Sequence, residues 1–111
     1  MLFKLVTATL NIDMLEKVEE RLRSIGVPGI SVSETKGYGV YKQFFHRDWL
    51  TTHARIQIYA PENHVNDVVK AIMDAAHTGL EDDGIIVVSP VETIYRIKDK
   101  TQLSADAFNA H

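Results

Sequence analysis

Residues His53–Val88 read HARIQIYA, PENHVNDVVKAIMDAAH, TGLEDDG and IIVV in succession, and this run decides the fold. Over His53–Ala60 the apolar Ala54, Ile56 and Ile58 alternate with Arg55, Gln57 and Tyr59, the period-two pattern of a strand with one buried face, and Pro61 closes it. From Glu62 to His77 the period changes. Val65, Val68, Val69, Ile72, Met73 and Ala76 fall on one helical face, and Pro61-Glu62 stands where a first turn favours proline and acid. Thr78–Gly84 is an acidic turn, and Ile85–Val88 is a continuous apolar strand.

The first half of the chain repeats this order. Leu2–Leu10 is rich in apolar and β-branched residues and reads as a buried strand. Leu15, Val18, Leu22 and Ile25 then recur at helical spacing, which predicts a helix over Met14–Ile25 that stops at Gly26, a residue tolerant of positive φ. Val27-Pro28-Gly29 is punctuation, and Ile30–Lys36 alternates as a half-exposed strand. Gly37-Tyr38-Gly39 ends it, and Val40–Thr52 reads as an aromatic loop or β-ribbon in which neither helical nor strand periodicity is sustained. Val91–Lys98 is expected to end as an edge strand, and 99–111 to form a polar tail in which Thr101–Phe108 has the pattern of a short amphipathic helix or a frayed end.

The order strand, helix, strand, strand, helix, strand is the split βαβ pattern of an α+β, ferredoxin-like βαββαβ sandwich, with two helices on one face of an antiparallel sheet. The opposite face is expected to carry Leu5, Val32, Ile56 or their neighbours, and a sheet face that apolar is commonly covered by another subunit.

Composition narrows the function. The 111 residues carry 12 Lys+Arg against 15 Asp+Glu, a net charge of −3, with the basic residues scattered, so no nucleic-acid face is expected. The absence of cysteine removes disulfides, thiolate metal sites and cysteine nucleophiles and fits a reducing cytoplasm. The apolar start meets Lys4, Asn11 and Asp13 and lacks the pattern of a secretory signal, and no apolar run reaches the ~20 residues of a spanning helix, so the chain is not expected to be membrane-embedded. No G-x-S-x-G elbow or other nucleophile arrangement is present, so an enzyme is not expected.

Three segments go further than the fold. Gly26–Gly39 (GVPGISVSETKGYG) closely resembles the G-x-x-G-x-T-V-x-x-V-K-G-F-G strand of the P-II signal-transduction proteins. Ala75–Gly79 with Asp83–Val87 is similar to that family's A-x-T-G-x-x-G-D-G-K-I-F-V loop and strand, and Val91–Lys98 to its V-x-x-x-x-R-I-R ending. They stand in the family's order at compatible spacing from about Leu5 to Lys98. Read singly, Gly37-Tyr38-Gly39 is a tight turn, Asp82-Asp83-Gly84 a solvated turn, and Arg96 and Lys98 solubilising charges on an edge.

The resemblance implies a family domain over 1–98 with a T-loop at about 37–53 and a B-loop at about 78–84. It implies a homotrimer that binds an adenine nucleotide in each cleft between subunits and docks its T-loop on a transporter, enzyme or regulator. Carried over by position, Ser31 matches the residue at adenine. Gly37, Tyr38 and Gly39 match the root of the T-loop, Asp83 and Gly84 the loop along the phosphates, and Arg96 and Lys98 the cations reaching from the neighbouring subunit.

The departures from the pattern refine this expectation. Val40 and Ile85 replace the family's phosphate-binding Arg and Lys, and Asp82 replaces a Gly. Each lost charge-assisted contact costs about 1.5–3 kcal/mol, which penalises a triphosphate most and favours AMP or ADP over ATP. Tyr41 replaces the Gln that helps hold Mg and 2-oxoglutarate, and His53 falls near the Lys that pairs with its carboxylate, so neither 2-oxoglutarate sensing nor a bound metal is expected. The loop is shorter than usual and has no apical Tyr for uridylylation. Its Tyr41, Phe44, Phe45, His46 and Trp49 form a candidate partner-binding surface, since aromatics dominate interface hot spots. These departures point to a member linked to bicarbonate, metal or other small-solute transport. The alternative is a trimeric metal-response protein of the cation-tolerance kind, using His46, His53 or Glu81-Asp82-Asp83.

Overall fold

A computed structural model of the chain describes residues 3–36 and 52–103. Its four main strands are β1 (Phe3–Asn11), β2 (Ser31–Lys36), β3 (Thr52–Pro61) and β4 (Gly84–Val91), and its helices are α1 (Leu15–Ser24) and α2 (Val65–Ala76). The sheet order is β2-β3-β1-β4 with every neighbouring pair antiparallel, the topology that two interleaved β-α-β units produce. The expected ferredoxin-like α+β fold is present.

Each helix is entered through a 3-10 turn. Asn11 accepts the Asp13 N–H at 2.9 Å and so satisfies a donor that the turn at Ile12–Met14 leaves orphaned. The C-terminus of α1 is fixed by Gly26. At φ 88° it donates to the Arg23 carbonyl at 3.1 Å while Val27 donates to Leu22 at 3.1 Å, the paired bonds of a Schellman stop. Pro61 ends β3 and precedes the turn at Glu62–His64, which leads into α2.

The core follows from which residues face the helices. Val6, Ala8 and Leu10 of β1 and Ala54, Ile56, Ile58 and Ala60 of β3 pack under Val18 and Leu22 of α1 and Val68, Ala71, Ile72 and Ala75 of α2. Truncating a fully buried member such as Leu22 or Ile72 to Ala costs about 2–5 kcal/mol. Register corrects one expectation here. Val32 pairs with Ile56, and Ile56 with Ala8, so Val32 and Ile56 lie on the helix side; only Leu5 lies on the opposite face. That face also carries Phe3, Tyr59, Ile85, Val87 and Val91 together with Thr7, Thr9, Arg55 and Gln57, an apolar band at β1 and β4 beside more polar positions of β3.

The end of the chain differs from the expected edge strand over Val91–Lys98, and the tail beyond 103 lies outside the described residues. The main sheet stops at Val91, and a separate small hairpin follows, with β5 (Tyr95–Arg96) paired to β6 (Thr101–Gln102). Leu103 N–H bonds to the Ile94 carbonyl at 2.8 Å and closes it. The hairpin runs across position 98, where the family-like segment was expected to end.

Candidate functional site

The loop between α2 and β4 is built around one carboxylate. Asp83 accepts the N–H groups of Thr78 at 2.8 Å and Gly79 at 2.9 Å and also the Thr78 hydroxyl, whose oxygen in turn accepts the Leu80 N–H at 3.2 Å. Partial desolvation pushes the Asp83 carboxyl up. The Thr78 hydroxyl, the N–H groups of Thr78 and Gly79 and the nearby His77 together outweigh it and hold the group below the usual carboxylate range. Asp83 therefore shapes the loop from within. Its negative charge would repel a phosphate, so whatever the loop offers an anion comes from the backbone that Asp83 holds in place.

Gly84 has a structural reason of its own. It sits at φ 113° opposite Leu10, and a Cβ there would lie 1.9 Å from the Thr9 carbonyl oxygen. The close approach of β4 to β1 is what excludes a side chain at this position.

Ser31 opens β2, exposed, opposite Gln57. Gly37, Tyr38 and Gly39 lie outside the described residues, as do Val40, Tyr41, Phe44, Phe45, His46 and Trp49. Arg96 stands on β5 with its guanidinium 3.3 Å from the Asp99 carboxylate, and Lys98 is exposed in the hairpin turn.

Among the described residues, Gly84 and Ser31 stand on opposite edges of the main sheet. Gly84 shares a row with Leu10, Ala54 and Glu34, so it lies toward the same end of the sheet as Lys36, the residue before Gly37, but on the opposite edge. Three strand spacings separate the two edges, about 14 Å. Arg96 belongs to the separate β5–β6 hairpin that follows β4. Ser31 and Lys36 are themselves about 17 Å apart along β2.

Of the residues named for the metal alternative, His46 lies outside the described residues. His53 is buried in β3 in register with Asn11 and Thr35, Asp83 is committed to its loop, and among the described residues no three His, Cys, Asp or Glu side chains are grouped to hold an ion. Among the described residues no helix is long and apolar enough to cross a membrane.

Two features were not singled out from the sequence. Thr78 is the main partner of Asp83, and its only signal was its place within the matched loop motif. A groove of about 630 Å³ runs past Pro28, Gly29, Tyr59 and Pro61 to a rim carrying Arg21, His64 and Lys70. Tyr59 was legible only as one outward position of an alternating strand.

Comparison with known proteins gives a consistent result. Residues 3–101 match the family described as nitrogen regulatory protein P-II. The nitrogen regulatory protein P-II of Azospirillum brasilense is 34% identical over 91 residues, covering 76% of this chain and 81% of the relative. The nitrogen regulatory protein GlnK of Escherichia coli K12 is 30% identical over 102 residues, covering 86% and 91%. Among solved structures, that of Arabidopsis thaliana PII bound to citrate superposes with a TM-score of 0.78 at 27% identity, covering 91% of this chain and 88% of that one.

Proposed function

The chain belongs to the P-II family of regulatory proteins, and from that premise we propose that it binds an adenine nucleotide between the subunits of a homotrimer and signals through the 37–53 loop. The observation that carries this reading is the separation of the family-like positions within one copy. Gly84 on one sheet edge and Lys36, which precedes the loop, on the other are about 14 Å apart in one copy, and copies that meet edge to edge would bring such positions together. An interface in which the β4 edge of one copy faces the β2 edge of the next is heterologous, and a heterologous interface that closes forms a ring. Exposed apolar side chains on both edges, Val32 at β2 and Val88 at β4, favour such a contact.

AMP or ADP is the preferred ligand over ATP. Val40 and Ile85 supply no charge where the family has cations, Asp82 adds an anion where the family has a Gly, and Arg96 already shares its charge with Asp99. The Arabidopsis relative was solved with citrate, so the family accommodates a small polyanion. The shortened aromatic loop, with Tyr41 at its root, favours a membrane transporter for bicarbonate, metal or another small solute as the partner over 2-oxoglutarate-linked nitrogen sensing. The protein acts in this reading as a cytoplasmic regulator and not as an enzyme.

Titration calorimetry with AMP, ADP and ATP, combined with light scattering, tests the proposal. The expected result is a particle of three 12.5 kDa subunits that binds AMP or ADP more tightly than ATP and does not respond to 2-oxoglutarate. A monomer, or a trimer giving no heat with any adenine nucleotide, would sink it.

A further inference from the structure

Arg96 reaches the surface with a carboxylate already on it. In the hairpin Arg96 pairs with Thr101, and the residues between them close as a turn in which the Ile97 carbonyl accepts the Lys100 N–H at 3.3 Å. That turn carries Asp99 back over the start of the hairpin, where its Oδ2 accepts a hydrogen bond from Arg96 Nη1 at 3.3 Å. From Tyr95 to Gln102 the chain has three cations, Arg96, Lys98 and Lys100, and Asp99 as its one acid, so the single negative charge of the hairpin is set against Arg96. The two side chains remain 40% and 43% exposed, which leaves the pair open to a competing anion.

We propose that Asp99 is a built-in competitor for the Arg96 guanidinium and that it holds down the affinity for longer phosphate chains. This rests on the nucleotide-binding reading above, in which Arg96 of one copy reaches the phosphates held by the next. A guanidinium grips an oxyanion through a planar fork of N–H donors, and Asp99 already occupies one nitrogen of that fork. A phosphate that engages Arg96 must displace the carboxylate or settle for the remaining edge, and either course lowers its affinity by up to the strength of an exposed ion pair. The penalty falls on a nucleotide in proportion to its use of Arg96. It therefore weighs on ATP and ADP, whose phosphates extend away from the ribose, more than on AMP. Val40 and Ile85 act by lacking a charge, whereas Asp99 acts by opposing one, so a single neutral substitution lifts its effect.

Calorimetry with AMP, ADP and ATP on the wild type, Asp99→Asn and Asp74→Asn tests this. Asp74 pairs with Lys70 at 3.1 Å on α2, away from the hairpin, and its substitution changes the net charge by the same amount. Asp99→Asn is expected to bind ADP and ATP about two- to fivefold more tightly than wild type, with a smaller gain for AMP, while Asp74→Asn binds all three as wild type does. A gain of affinity is a result that a damaged hairpin does not give. Unchanged ADP and ATP affinity in Asp99→Asn overturns the assignment, and so does weaker binding, because Asp99 would then support Arg96 and not compete for it. An equal gain for all three nucleotides, or the same gain in Asp74→Asn, overturns it as well, because the effect would then be one of net charge. A wild-type protein that binds no adenine nucleotide overturns the nucleotide reading itself, and the competition falls with it.

Discussion

The loop at Thr78–Asp83 and the hairpin at Tyr95–Gln102 are both short and exposed, yet they are held in opposite ways. The loop is closed by its own side chains, with three donors converging on Asp83 and a glycine, Gly84, locked against β1. The hairpin has two-residue strands, one exposed ion pair, and Tyr95 and Ile97 largely open to solvent, the latter at 92%. One wall is therefore finished within the subunit, while the other has apolar and charged groups that a single copy leaves unused. Substitutions in the loop should register in folding, and substitutions in the hairpin should register in what the protein binds.

Gly84→Ala should have the largest effect. A methyl group 1.9 Å from the Thr9 oxygen cannot be accommodated by a rotamer change, and the positive φ adds strain, so β4 must shift off β1 at a cost of about 3–5 kcal/mol in urea unfolding. Gly79→Ala is the internal control. Its φ of 91° is also left-handed but the space around it is open, so only the conformational cost of about 1–2 kcal/mol is expected. Equal effects at the two glycines would mean that β4 does not press on β1 as described.

Asp83→Asn should come next, at about 1–2 kcal/mol, because an amide retains one acceptor but turns an N–H toward donors. The effect has a pH signature. The Asp83 carboxyl titrates below its ordinary range in the folded chain, so near that range the unfolded chain binds more protons. The stability it contributes is whole above about pH 4 and is lost as the pH falls further, so the gap between wild type and Asp83→Asn should be flat from pH 8 to 5 and shrink below about 4. A gap that persists in acid would assign the loss to the loop's shape and not to the charge.

The two regions also differ in how far they could be read from the sequence. Strong periodicity made the strands and helices legible: Ala54, Ile56 and Ile58 alternate, and Val65, Val68 and Ile72 recur at helical spacing, so those elements sit within a residue or two of expectation. Alternation separates two faces without saying which one the helices cover, and that is why Val32 and Ile56 were placed with Leu5 until register assigned them. The hairpin carried no periodic signal, because a two-residue strand spans a single period of the strand pattern and shows no alternation. Its turn also uses a non-glycine residue, Lys100, at φ 57°. In the candidate site, Asp83 and Gly84 were recognisable as positions but not as devices. A carboxylate that organises its own loop and one that faces solvent have the same sequence.

Arg96→Ala should have the smallest effect on folding and is the most direct test of the contrast. Its guanidinium and the Asp99 carboxylate are about two-fifths exposed at 3.3 Å, and pairs of that kind contribute up to about 1 kcal/mol, so unfolding should move by no more than about 1 kcal/mol. If the hairpin of one copy supplies a cation to a nucleotide held by its neighbour, removing that charge-assisted contact should weaken ADP at least tenfold, from the lower end of about 1.5–3 kcal/mol, with AMP losing less than ADP. Unfolding in urea and calorimetry on the same preparation read both quantities. Unchanged ADP affinity would take Arg96 out of the site while leaving nucleotide binding standing. A loss of stability matching the loss of affinity would mean that Arg96 holds its own hairpin together, because only a residue whose partner lies outside its own chain can lose binding while the fold stays intact.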